Sequence, residues 1–141
     1  MSVLFRLPQL RRDLPLIVTE GIFDIPKIWK FFSKNVTTTF GIHVTAVQKQ
    51  LLREFPNIIL FPDGDESGRE MVRSFNSFLD REFQVAQIPN KDPGDAKIRE
   101  IKIALTNSIP STEYLLRESG LFTEEDEFSR KGLDQEFFTV E

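Results

Sequence analysis

The residues of this chain best suited to chemistry are the acids in Asp63-Gly64-Asp65-Glu66-Ser67-Gly68-Arg69. Three carboxylates within four residues have no packing use. A divalent cation relieves their repulsion most simply, because carboxylate oxygens suit Mg²⁺, Mn²⁺ or Ca²⁺. Asp63-x-Asp65-x-Ser67-Gly68 also matches the opening of an EF-hand calcium loop. That reading fails twice: the twelfth loop position is Ser74 where a bidentate glutamate is required, and a strand-like run precedes the loop where a helix should stand.

The elements around this stretch tell which other acids can reach it. Leu16-Ile17-Val18-Thr19 is a short β-branched run of the kind buried in a parallel sheet, and it stops at Glu20-Gly21. Asp24 can cap a following helix with Pro26 in its first turn. Ile25, Ile28, Trp29 and Phe32 give that helix an apolar face, and Lys27, Lys30 and Lys34 a basic one. A second strand is expected over 36–40. Thr45 and Gln48 have capping-box spacing and open a helix with Val47, Leu51 and Leu52 inward. A third strand over 57–61 leads into the acidic stretch, and Met71, Val72, Phe75, Phe78 and Leu79 mark a helix to about 81. A fourth strand is expected over 83–88, a helix to about 105, and a shorter one over 111–119 stopped by Gly120.

Strand and helix alternate throughout, which calls for a parallel sheet with right-handed crossovers. In such a sheet the residues just past the strand ends share one edge, where ligands bind. Glu20 follows the first strand, Asp63 and Asp65 the third, and Asp92 and Asp95 the fourth, so acids far apart in sequence collect at one rim. A rim of this kind can hold one or two Mg²⁺ ions and leave coordination positions for phosphate oxygens. Each acid also has a plainer reading. Asp24, Asp65 or Asp95 could be only a helix cap, whereas the pair Asp63 and Asp65 exceeds what one helix needs. Glu20 at the end of a buried strand is costly without a partner. The only histidine, His43, belongs to a loop after Gly41, where a surface role is the default.

Composition narrows the classes. The chain has no cysteine, which removes disulfides, thiolate zinc sites and thiol nucleophiles. Its formal net charge of −4 gives no general drive toward nucleic acid, so such contact needs a local basic patch. The 14 Phe include the doublets Phe31-Phe32 and Phe137-Phe138, some of which must be exposed or covered by a partner. Nothing near the N-terminus reads as a signal peptide or membrane span, and a cytoplasmic protein is the expectation.

Glu20-Gly21-Ile22-Phe23-Asp24, then Asp63-Gly64-Asp65-Glu66-Ser67-Gly68-Arg69, then Lys91-Asp92-Pro93 resemble, in order and spacing, the Toprim domain, in the form found in bacterial and phage DnaG-type primases. The resemblance covers roughly residues 16–96. It implies an α/β Toprim (Rossmann-like) fold: a four-stranded, mostly parallel sheet with helices on both faces and a helical C-terminal extension. The expected parts are an N-terminal segment (1–13), the Toprim domain (14–106), the extension (107–122) and an acidic tail (123–141). The resemblance further implies an Mg²⁺- or Mn²⁺-dependent site, with one or two ions, for nucleotidyl transfer. By analogy Glu20 is the catalytic or metal-organising glutamate, Asp63 and Asp65 are the main ligands, and Asp92 serves a second ion. Asp24 matches the last acid of the first element. Asp95 stands three residues after Asp92 where primases often place that acid two residues on. Lys91 and Arg69 are the cations that could meet a nucleotide or backbone phosphate.

Implied partners are NTPs, a single-stranded DNA template, an RNA primer, and either a replicative helicase or a second primase subunit. A whole DnaG-type primase also has a zinc module and a basic template-gripping subdomain, for which residues 1–19 offer no cysteine and only Arg6, Arg11 and Arg12. The expectation is thus a primase fragment or split subunit. The alternatives are a small Toprim nuclease and a non-catalytic scaffold like the Toprim domain of RecR-type proteins.

Overall fold

The computed structural model describes residues 4–41 and 43–120. Its sheet is built outward from β1 (Leu16–Thr19), every residue of which is buried. One edge of β1 pairs in parallel with β2 (Val36–Thr38) and the other with β3 (Ile58–Phe61). β3 pairs in parallel with β4 (Gln84–Val85). The order is β2-β1-β3-β4-β5, where β5 (Ile109–Pro110) runs antiparallel to β4. The four expected parallel strands are present, and the fifth is an addition. A two-residue strand holding a proline has no periodicity to detect, and Pro110 fits there because a sheet edge tolerates its missing N–H.

The helices are α1 (Ile25–Phe31), α2 (Ala46–Arg53), α3 (Glu66–Phe78) and α4 (Ile98–Thr106). The step from β1 to β2 runs one way along the sheet; the steps from β2 to β3 and from β3 to β4 run the other way. With right-handed crossovers, α1 must cover one face while α2 and α3 cover the opposite one. Strand alternation divides the core accordingly. Ile17 and Phe61 pack with Ile25 and Ile28 of α1 and Ile101 and Ala104 of α4. Leu16, Val18, Ile58 and Leu60 are the alternate positions and turn to the other face, where Phe75 of α3 stacks edge-on to Phe83.

Several details depart from the expected pattern. Thr45 and Gln48 do form a reciprocal capping box, at 3.0 and 3.1 Å. Gln48 is thereby turned inward and is buried, while Val47 is 46% exposed. Trp29 also lies largely outside the core at 39% exposure. β4 is shorter than expected because the chain turns back after Gln87: Ile88 bridges to Lys91, and Asn90 adopts a left-handed φ of 61°. α4 is capped from Lys97, whose N–H donates to Glu100, so Asp95 is not its cap.

The N-terminal segment is tied to the β2 side of the sheet. Thr37 donates to the Phe5 carbonyl at 2.7 Å, and the buried Asn35 side chain binds the backbone of Arg11 and Pro15. Polar residues are tolerated in this strand because each hydroxyl or amide finds a partner. Residues 112–141 form a separate unit. Within it most of α5 (Ser111–Glu118) is described, with Arg117 and Glu113 one turn apart and 3.7 Å from each other. The acidic tail and the Phe137-Phe138 doublet lie outside the described residues. Among the described residues no helix is long and apolar enough to cross a membrane.

Candidate metal centre

Three loops at the C-terminal edge of the parallel strands build the site. Glu20 leaves β1, Asp63 and Asp65 leave β3, and Asp92 follows the turn after β4. Two glycines allow close backbone approaches here, Gly64 between the loop after β3 and the turn after β4, and Gly68 within the loop after β3 itself. A Cβ on Gly64 would lie 2.2 Å from the Ile88 carbonyl oxygen, and one on Gly68 would lie 1.8 Å from that of Asp63. Gly64 donates to the Lys91 carbonyl at 3.0 Å, which locks the loop after β3 onto the turn after β4.

Asp24 performs the same task between the loop after β1 and that turn. It stands at the head of α1 but does not cap it. Its carboxylate accepts from Gly21 N–H at 3.2 Å and from Gly94 N–H at 3.0 Å. Lys27, expected on a solvated basic face, reaches back along α1 and donates to the carbonyls of Gly94 and Ala96 at 2.8 and 2.7 Å. No sequence signal marks that role, since its partners stand some 70 residues away in another loop.

The carboxylates meet in two groups whose ligand atoms lie within 4.8 Å of one another: Glu20 with Asp63 and Asp65, and Asp24 with Asp63 and Asp92. Asp63 belongs to both. Glu20 Oε1 and Asp63 Oδ1 are closed off from water and receive no hydrogen bond from a donor. Burial, then the neighbouring Glu20, then the charges of Asp24 and Asp92 push the Asp63 carboxyl up to about 8. Burial also raises Asp24, against the two backbone N–H groups that favour its charge. Asp65 is exposed and moves the other way: the Ser67 hydroxyl and the Gly68 N–H hold it low while it caps α3.

Ser67 Oγ stands 2.9 Å from Glu20 Oε2 and 2.8 Å from Asp65 Oδ1, so its single proton serves one of two carboxylates. A cluster with two orphaned, solvent-excluded oxygens and an all-oxygen donor set fits a hard divalent cation. Beside it opens a cavity of about 450 Å³, where Glu20, Asp24, Asp63 and Asp92 face Phe23 and Phe40.

The remaining expected residues lie outside these groups. Asp95 is exposed and contributes its backbone N–H to Asp92 at 2.8 Å. Lys91 pairs with Glu100 at 3.1 Å and Arg69 with Glu66 at 2.7 Å, both at the surface. His43 is exposed and belongs to neither acid group. Ser67 and Lys27 are the site residues that sequence reasoning missed.

This geometry agrees with comparisons to known proteins. The DNA primase DnaG of Thermofilum pendens is 31% identical over 108 residues, covering 77% of this chain and 25% of that protein. This chain thus spans about a quarter of that relative's length. A DNA primase domain from Pseudomonas aeruginosa superposes with a TM-score of 0.65 at 23% identity, covering 81% of this chain and 40% of that one. A DnaG primase catalytic domain bound to single-stranded DNA gives 0.65 at 21% identity, covering 82% and 41%. These two structures share the fold. The Toprim-like family profile matches residues 17–97, a span that runs from the second residue of β1 through β4 and holds every acid of both groups, and the chain belongs to that family.

Proposed function

We propose that this chain is the Toprim catalytic part of a DnaG-like DNA primase, a fragment or split subunit that performs Mg²⁺- or Mn²⁺-dependent nucleotidyl transfer in RNA primer synthesis. One observation carries the reading: Asp63 is common to two carboxylate groups, and its Oδ1 and the Glu20 Oε1 are solvent-excluded without a donor. Glu20, Asp63 and Asp65 would hold one ion, and Asp24, Asp63 and Asp92 a second. When bound, such ions neutralise the phosphate oxygens of an in-line displacement.

The chain's own residues have separate tasks in this reading. Asp63 surrenders its proton on metal binding, and Ser67 orients Glu20, the catalytic or metal-organising carboxylate. Asp24 and Lys27 hold the Asp92 loop in register with the rim. The cavity beside the acids admits the phosphates of an NTP or a primer end. Similarity to primases, one of them bound to single-stranded DNA, supports a single-stranded template as the second substrate. Further primase domains, a second subunit or a replicative helicase would complete the template grip, and the cytoplasm is where such an enzyme works.

The test supplies the protein with Mn²⁺, NTPs and a single-stranded template, alone and with a candidate second subunit. Primer products support the reading. Cleavage of labelled nucleic acid in their place would assign the same metals to a nuclease. Unchanged Mn²⁺ affinity in Asp63→Ala by calorimetry would sink the site itself.

A further inference from the structure

The outer face of α1 carries the opposite charge from the acid rim, although α1 begins at the residue after Asp24. Trp29 and Phe31 are 39% and 50% exposed and, two residues apart in the helix, stand on opposite flanks of that face with Lys30 between them. Three cations surround them. The Arg6 guanidinium lies 5.4 Å and Lys34 Nζ 5.2 Å from the Trp29 ring centroid, and Lys30 Nζ lies 5.4 Å from that of Phe31. None of the three forms an ion pair among the described residues. Arg6 Nη1 is shut off from water and meets no acceptor. Arg6 itself holds a left-handed φ of 59°, uncommon for a residue other than glycine. Beside this group lies an apolar cavity of about 510 Å³ lined by Phe5, Arg6, Ile25, Pro26, Trp29 and Lys30.

A chain of net charge −4 has here gathered cations that no acid among the described residues pairs with. An acidic peptide would satisfy the charges but would have little use for exposed flat rings. A single strand of nucleic acid satisfies both, because its bases stack on aromatic faces while its phosphates meet the cations. Lys34, exposed and in no ion pair among the described residues, can swing from the indole to a phosphate when a base takes its place. We propose that the outer face of α1 with Arg6 binds single-stranded DNA, its bases on Trp29 and Phe31 and its backbone on Arg6, Lys30 and Lys34. This rests on the reading that the chain acts on nucleic acid, but it uses none of the metal-centre acids.

Trp29 is the only tryptophan, so its fluorescence reports on this face alone. The intact chain, in EDTA, is titrated with an oligothymidylate of roughly 15 nucleotides, long enough for one such site. Trp29 emission and the anisotropy of the labelled strand are followed together. Saturable quenching is expected. The double variant Lys30→Ala, Lys34→Ala should bind about tenfold more weakly at low salt, with a salt slope shallower by about 0.7 per lost phosphate contact. Arginine at both positions should restore binding.

Strand binding seen by anisotropy without Trp29 quenching would overturn the proposal, as would equal quenching in the double alanine variant. No binding at low salt, or equal quenching by polyglutamate, overturns it too. Normal quenching in a parent protein that binds no Mn²⁺ would refute the metal centre and leave this surface standing.

Discussion

The acid rim and the outer face of α1 adjoin in the chain and handle charge in opposite ways. At the rim, like charges are forced together from three loops and partly buried, and the Asp63 carboxyl is pushed up to about 8. On and beside α1 the cations stand apart over aromatic rings. In the proposed reading the rim takes a partly desolvated point charge. The helix face needs a long, flat, weakly held polyanion. A site for chemistry and a site for grip differ in just this way, because the first gains from desolvation and the second from reversibility.

The largest effect should come from the one residue that both acid groups share. Asp63→Ala is expected to lower Mn²⁺ affinity by more than about 100-fold with the helical circular dichroism unchanged. Lys27→Met should lower affinity by about 10- to 100-fold, as outer-shell changes do, by freeing the loop that carries Asp92. Calorimetry on both variants checks this, and an unaffected Lys27→Met would mean the clamp is only structural. Asp65→Ala touches a single acid group and should cost less than Asp63→Ala; equal losses would remove the distinction between a shared and a peripheral ligand.

Asp63 also ties stability to pH. Its native carboxyl holds a proton up to about 8, whereas an unfolded aspartate releases it near 3.9. The native state thus binds more protons between those values, and metal-free stability falls as pH rises through that window. Asp63→Asn should flatten this slope and stabilise the metal-free protein at pH 8 by about 1–3 kcal/mol once solvent screening is allowed for. Urea melts at pH 5 and 8 measure it. In the parent, Mn²⁺ affinity should climb with pH toward 8 and then level. The smallest effect belongs to Asp95→Ala, expected within about twofold of the parent in Mn²⁺ affinity. A larger loss would return Asp95 to the ligand set.

The acids were legible because strand ends are legible. Buried runs such as Leu16-Ile17-Val18-Thr19 end in Glu20, and in a parallel sheet those ends must converge. Two kinds of detail were not legible: which side of α2 its own capping box turns inward, and contacts between loops. Val47 was expected inward by helical spacing, but the capping box turned Gln48 into the core in its place. Asp24 and Asp95 both had cap-like positions. Asp24 bridges two loops, whereas Asp95 bonds only to its own turn through its N–H.

By itself the sequence determined the order of the four parallel strands with their helices and the rim that Glu20, Asp63, Asp65 and Asp92 share, because periodicity, caps and acid spacing act over a few residues. Only the tertiary structure decided that Asp63 serves two groups, that Lys27 clamps the Asp92 loop, and that Trp29 stays outside the core among unpaired cations. Those outcomes depend on distances between segments tens of residues apart. No local spacing encodes such distances, and close packing sets them once the sheet has formed.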